Sequence, residues 1–294
     1  MATTSKVPTA GATARPVNDD TAPSRRPKTL ILDVYGRYSP QFHGWLGVAD
    51  LVHFMELLGI DEQAVRSAVS RMARRGMLHK EVRSSVRGYA TTAAADDLLA
   101  DGDRRIYSSM DPAPLDDGWV LVSFSVPETE RDKRHTLRAK LMWLGMGIVS
   151  SGLWIAPRRV TPLVLESIGA LGVEQHVDVF SAQYQGFDDT VELVHRAWDL
   201  DGLAGMYQQF LDDHGPIERR LARRRGEPDG AEAFARYTLA LHDWRKFPYL
   251  DPGLPVELLP AKWPGRSAAD LFDRMRTRLE PAAFAYAEQV VAHD

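Results

Sequence analysis

Between Arg66 and Arg87 the chain carries seven basic residues, Arg66, Arg71, Arg74, Arg75, Lys80, Arg83 and Arg87, against one acid, Glu81. The whole chain is acidic, with a net charge of −4. The imbalance is local: residues 25–110 sum to +3 and residues 111–294 to −7. A cluster of cations without matching carboxylates attracts an external polyanion, whatever the charge of the rest of the molecule.

The spacing of the side chains narrows the choice of polyanion. On a helical wheel of about 100° per residue, Val65, Ala68, Val69 and Met72 gather on one side. Opposite them lie Gln63, Ser67, Ser70 and Arg74, flanked by Arg66 and Arg71. A helix face that merely meets solvent mixes acids with its bases and gains i,i+4 pairs; here no acid follows Glu62. Arginine pairs with guanine through two hydrogen bonds, glutamine does so with adenine, and short serines let a helix sit deep in the major groove. Just beyond, Lys80, Arg83 and Arg87 are placed to reach phosphates or the neighbouring minor groove. The competing reading, a solvated amphipathic helix followed by an incidentally basic hairpin, accounts for the helix alone but not for what surrounds it.

Those surroundings are elements able to position a reading helix. Residues 1–27 are rich in Pro, Ala, Thr and Ser and nearly free of large apolar side chains, which predicts a disordered arm. "KTLILDVYGRY" places Leu30, Ile31, Val34 and Tyr35 on one helical face. "GVADLVHFMELLGI" predicts a second helix with Leu51, Met55 and Leu58 in its stripe, stopped by Gly59. Asp61 is the N-cap of a third, running through Arg74. Extended runs at Met77–Val82 and Val86–Thr91 flank a polar Arg83–Ser84–Ser85 turn, and "TTAAADDLLADGDRRIY" adds a closing helix. Three helices, a hairpin and a further helix make a winged helix-turn-helix over residues 28–110.

The rhythm then changes. "WVLVSFSV" alternates with Val120, Val122, Phe124 and Val126 on one face. An amphipathic helix with Leu137, Leu141 and Leu144 follows and ends at Gly145. Two short strands flank Ser150–Ser151–Gly152. The next helix has Thr161 as N-cap, Pro162 at its first position and Gly172 as its stop, and "HVDVFSA" closes the segment. The order β-α-β-β-α-β predicts a ferredoxin-like domain over 111–186. Residues 187–294 read as helices near 188–200, 202–213, 216–225, 230–246 and 266–291. The Pro-rich segment before the last of these is too apolar to hang free. The fold class is therefore α+β.

Other chemistries find little support. Zero cysteines exclude disulfides and thiolate metal sites. None of the nine histidines forms an HExxH or HxxxH pair, and Asp212–Asp213–His214 is at best half a metal site. Phosphate-loop, nucleophile-elbow and dinucleotide fingerprints are missing, so no cofactor and no catalysis are expected. There is no run of about 18 apolar residues and no signal-peptide core, which predicts a cytoplasmic protein with no membrane partner.

The segment "WLGVADLVHFMELLGIDEQAVRSAVSRMARRGML" resembles the N-terminal domain of the PaaX family, bacterial repressors of phenylacetate degradation and related pathways. The likeness continues in "WVLVSFSVPETERDKRHTLRAKLMWLGMGIVSSGLWIAP", "RAWDLDGLAGMYQQFL" and "HDWRKFPYLDPGLPVELLPAKWPGRSAADLF", spanning about residues 28–290. The resemblance implies a homodimer released from its operator in double-stranded DNA by a small-molecule effector, in the best-known members an aryl-CoA thioester such as phenylacetyl-CoA, and two-fold symmetry then asks for an inverted-repeat operator. The middle domain would serve dimerisation. It also looks like the small nuclease of CRISPR spacer acquisition, which raises a metal-dependent nuclease as the alternative. That enzyme needs a carboxylate at the end of its first strand, where this chain has Ser123 and Ser125, with Glu128 already in the following helix. The C-terminal domain would sense the effector. Trp198, Tyr207, His242, Trp244, Arg245, Lys246 and Trp263, with Tyr249, offer aromatic walls and cationic anchors, although the same residues could simply fill a core.

Overall fold

The first helix, α1 (Pro27–Tyr38), opens on a proline, whose fixed φ suits a first turn, and it buries Leu30, Ile31, Val34, Tyr35 and Tyr38. The computed structural model describes residues 26–107, 111–187 and 189–292. The expected arm therefore lies outside the described residues except for Arg26 and Pro27, and Pro27 belongs to the helix. After α1 come β1 (Trp45–Gly47), α2 (Val48–Leu57) and α3 (Glu62–Arg74). The hairpin β2 (Leu78–Arg83) and β3 (Val86–Thr91) follows, then α4 (Ala93–Tyr107). The three strands form one antiparallel sheet in the order β1-β3-β2. This is the winged helix-turn-helix.

Its turn differs from the sequence expectation in one respect. Arg83 is not a turn residue but pairs with Val86, leaving a two-residue loop, Ser84–Ser85, with both residues at positive φ (46° and 72°). Two left-handed residues match the right-handed twist of the flanking strands, a conformation usually signalled by Asn-Gly rather than Ser-Ser.

The middle domain places β4 (Trp119–Phe124), β5 (Gly147–Ser150), β6 (Leu153–Pro157) and β7 (Val177–Ala182) in an antiparallel sheet of order β5-β6-β4-β7. Helices α5 (Arg131–Trp143) and α6 (Thr161–Leu171) cross between strands, as the ferredoxin-like pattern requires. Val120 and Val122 face these helices with Leu137, Leu141, Trp154 and Val164. The alternate residues Trp119, Leu121 and Ile155 face the other way and are also covered, by Leu193, Val194, Leu254 and Leu258. Thr161 is not a cap. Its hydroxyl donates to the Arg158 carbonyl at 2.6 Å, and the helix begins one residue earlier than a cap at that position would allow.

The C-terminal helices are α7 (Thr190–Ala197), α8 (Leu200–Arg223), α9 (Gly230–Trp244), the short α10 (Phe247–Leu250) and α11 (Gly265–Val291). The break expected between residues 213 and 216 is absent, because α8 runs straight through Pro216. Pro216 removes one backbone hydrogen bond, but Tyr207, Phe210 and His214 before it and Leu221 after it are all buried, so packing on both sides holds the helix together. The Pro-rich segment is packed as expected, with Phe247, Pro248, Leu254 and Leu258 buried.

One consequence of this packing matters for function. The core of the winged helix and the core of the C-terminal helices are a single cluster. Phe234 of α9 stacks on Phe54 at 4.7 Å and lies 4.7 Å from Tyr38. Polar ties reinforce the seam. Arg37 donates to the Tyr237 hydroxyl at 3.2 Å and pairs with Glu280, and the Tyr107 and Tyr237 hydroxyls are 2.8 Å apart.

Candidate nucleic-acid interface

The helix α3 begins as its sequence demands. Asp61 caps it by accepting from the Ala64 amide at 2.9 Å. Val65, Ala68, Val69 and Met72 are buried, which turns the opposite face outward. Gln63, Arg66, Ser67, Ser70, Arg71 and Arg74 are all exposed, as is Arg75. Arg66 is partly neutralised by Glu62, one turn back, at 2.6 Å. Among the described residues Arg71, Arg74 and Arg75 make no side-chain hydrogen bond or ion pair. The face therefore presents net positive charge.

The wing divides its cations by strand alternation. Opposed residues of an antiparallel pair share a face, and successive residues alternate. Leu78, Lys80 and Val82 pair with Thr91, Tyr89 and Arg87 on the face that carries Tyr89, which meets Val65 and Val69 of α3 across a small apolar cleft. Lys80 and Arg87 thus project on the same side of the sheet as the exposed ridge of α3, and both are exposed and without side-chain partners among the described residues. Val82, 64 % exposed, stands between them at the tip.

Arg83 is on the other face, and this changes its expected role. Its Nε donates to Glu81 at 2.8 Å, one terminal nitrogen donates to the Phe42 carbonyl at 3.0 Å, and its guanidinium lies 5.3 Å from the Trp45 ring centroid. The hydrogen bond from Arg83, more than the proximity of its charge or of His79, holds the Glu81 carboxyl below the ordinary carboxylate range. Arg83 braces the wing against the 42–45 segment and is not a free phosphate ligand. Sequence spacing could not reveal this, because its carbonyl partner is 41 residues away.

The expected effector residues are not brought together around an opening. Tyr207 is fully buried, stacked on Phe247 at 4.1 Å, and donates to Asp251 at 2.8 Å. Burial first, then the Asp251 charge, pushes its hydroxyl far above the usual tyrosine range. Trp244 stacks on Phe272 at 4.9 Å inside the core, and Trp263 meets the Tyr207 ring edge-on at 5.9 Å. Trp198 donates to the Gly145 carbonyl at 2.9 Å and lies so close over Gly147 that a Cβ there would fall 2.6 Å from the indole. His242 and Arg245 both bind the buried Asp33 of α1, at 2.5 and 3.1 Å, and the Lys246 ammonium sits 5.2 Å from the Phe247 ring centroid. Six of the seven are core filling or interdomain ties, and Lys246 is exposed beside Phe247. None lines the large cavity, of about 670 Å³, which lies instead between α4, α5, α6 and the 248–253 segment.

No group of three or more His, Asp or Glu residues able to hold a metal occurs among the described residues. Asp212 and Asp213 accept from Gln208 and Gln209, and His214 is paired with Asp243 at 3.0 Å. Glu128 precedes α5 in a short 3-10 turn and pairs with Arg134 at 2.6 Å. No helix among the described residues is long and apolar enough to cross a membrane.

Comparisons with known proteins agree with this architecture. Across 264 residues the chain is 27 % identical to the transcriptional repressor PaaX of Escherichia coli (strain K12), covering 89 % of this chain and 83 % of that protein. Among solved structures it is similar to the uncharacterized protein Rv0674 from Mycobacterium tuberculosis, with a TM-score of 0.58 at 21 % identity, covering 88 % of this chain and 97 % of the other, a likeness of fold alone. Residues 26–95 match the family described as PaaX-like protein, 112–194 the PaaX protein central Cas2-like domain, and 198–289 the PaaX-like protein C-terminal domain. With three successive matches in the family's order, the chain belongs to the PaaX-like family.

Proposed function

We propose that the protein is a DNA-binding transcriptional repressor that works as a homodimer and is released by a small-molecule effector. One observation carries the reading. In a winged helix-turn-helix frame, the exposed ridge of α3 and the α3-facing side of the wing expose five cations, Arg71, Arg74, Arg75, Lys80 and Arg87, that the protein itself does not neutralise among the described residues. α3 enters the major groove, where Gln63, Ser67, Ser70 and Arg74 meet base edges, while Arg66, Arg71 and the wing reach the backbone.

The relative in Escherichia coli is named a transcriptional repressor, which favours regulation over catalysis for this chain. Dimerisation is assigned to the middle domain, where β7 is an edge strand carrying Phe180 half exposed. Two-fold symmetry then calls for an inverted-repeat operator with half-sites about 34 Å, or a multiple of it, apart. The family resemblance makes an aryl-CoA thioester, phenylacetyl-CoA among them, the first effector to try.

The test is a gel-shift series on duplexes selected from a random pool by the protein itself. Changing Arg66, Arg71 and Arg74 together to alanine should abolish the sequence-selective shift, and wild-type affinity in that variant would overturn the assignment. Equal affinity of the unaltered protein for selected and bulk DNA would favour an architectural protein without an operator.

A further inference from the structure

The cavity of about 670 Å³ has walls from all three parts of the chain. The winged helix contributes α4 with Arg105, the middle domain contributes Lys140, Trp143, Arg159 and Leu163, and the C-terminal part contributes the Pro248–Gly253 segment with Asp251. A pocket of that size is within the range, about 300–1,000 Å³, that small organic ligands occupy.

Its chemistry is two-sided. Trp143 and Leu163 are large apolar groups left 41 % and 45 % exposed, an unfavourable state that a flat apolar body would relieve. Beside them Lys140 is exposed, with its ammonium 5.1 Å from the Trp143 ring centroid and no ion pair among the described residues. Arg159 donates to the Asp111 carbonyl and extends over Gly253. Of the three acids in the lining, only Glu166 makes no ion pair or hydrogen bond among the described residues, and it stands against three cations, Arg105, Lys140 and Arg159. Asp101 pairs with Arg104, and Asp251 accepts from Tyr207 and from the Gly253 amide at 2.7 Å. A positively charged rim next to an apolar wall fits an anion attached to a ring.

The position is as informative as the lining. Arg105 of α4 donates to the Pro248 carbonyl and to the Trp143 carbonyl, each at 3.0 Å. Its guanidinium lies 4.1 Å from the Trp143 ring centroid and 4.7 Å from that of Tyr249. One side chain at the cavity wall therefore couples the last helix of the winged domain to both other parts.

We propose that this cavity is a binding site for a small aromatic anion, its ring against Trp143 and Leu163 and its acidic group at Lys140, and that occupancy shifts α4 against α5. The second half rests on the reading of the chain as a ligand-released repressor: a ligand that binds two arrangements of α4 unequally shifts their populations, and with them the placement of α3.

The experiment uses the full chain and 1-anilinonaphthalene-8-sulfonate, an aromatic anion that fluoresces when shielded from water. The wild-type protein should bind it saturably at one site per chain. Lys140→Glu and Leu163→Glu, both at exposed helix positions, should each weaken that binding about tenfold or more while melting as the wild type does. Undiminished binding in both variants, or no saturable binding in the wild type, would overturn the site. A second arm follows selected duplex DNA by fluorescence anisotropy. The probe should lower the affinity of the wild type for DNA and leave that of the variants alone. Tight probe binding with unchanged DNA affinity would overturn the coupling and keep the site. A protein that never binds DNA would overturn the repressor reading, and the fluorescence titration would still decide the cavity.

Discussion

Replacing Lys80 by alanine, with Arg83→Ala as its companion, separates cations that face the duplex from one that faces the protein. Five cations per chain, Arg71, Arg74, Arg75, Lys80 and Arg87, lie on the reading side without internal partners among the described residues. With Arg74 at a base edge, two chains on one duplex neutralise at most about eight phosphates, which sets a slope of about −7 for log affinity against log salt. Doubling the salt would then weaken binding by about 150-fold. Lys80→Ala removes two of the eight contacts, so the slope should rise to about −5 and the same doubling should cost about 40-fold. Arg83→Ala should leave the slope unchanged, because that guanidinium is spent on Glu81 and the Phe42 carbonyl. Its loss should appear instead as a lower urea midpoint, because the wing is then released from the 42–45 segment. Anisotropy titrations at four salt concentrations and a urea melt measure both quantities. An unchanged slope in Lys80→Ala, or an equal change in Arg83→Ala, would refute the division of the wing into two faces.

Three further expectations follow from the same geometry. Because Arg83 holds the Glu81 carboxyl low, the wing brace is fully present above the ordinary glutamate pKa and is lost as pH falls through the depressed value. An NMR titration should find Glu81 moved up toward the ordinary range in Arg83→Ala, with His79 still holding part of the depression. Gly88→Ala would place a Cβ 2.4 Å from the Trp45 ring and 2.5 Å from the Leu46 carbonyl, so it should cost about 1 to 3 kcal/mol in a urea melt, and a variant as stable as the wild type would contradict the close packing of β1 on β3. Asp33→Ala strands the His242 and Arg245 side chains at the seam between α1 and α9, and a loss of roughly 2 to 4 kcal/mol is expected by the same measurement.

What could be read from the sequence follows the range of the forces involved. The α3 stripe, its Asp61 cap and the alternation of β4 are set by neighbours within one or two turns, and the period of the apolar residues reveals them directly. The nine expected DNA-facing residues include eight that are exposed in the folded chain; Arg83 was misplaced because its anchor in the 42–45 segment is distant in sequence. The continuous α8 was hidden for a related reason, since Pro216 is a local stop signal overruled by packing on both sides. The aromatic residues of the C-terminal part have the composition of a ligand pocket and of a core alike. Only the folded arrangement shows that Tyr207 and Trp244 are enclosed, and that the open cavity is made by residues from parts of the chain that no spacing connects.

The stacking of Phe234 on Phe54, and its contact with Tyr38, bears on how such regulators can be re-engineered or can diverge. A reading head grafted from a relative would have to bring matching surfaces of α9 and α11, or it would arrive with an aromatic face uncovered. Changes in operator preference are thereby steered toward single substitutions on the outer ridge of α3, where Gln63, Ser67 and Ser70 can be exchanged without disturbing anything behind them.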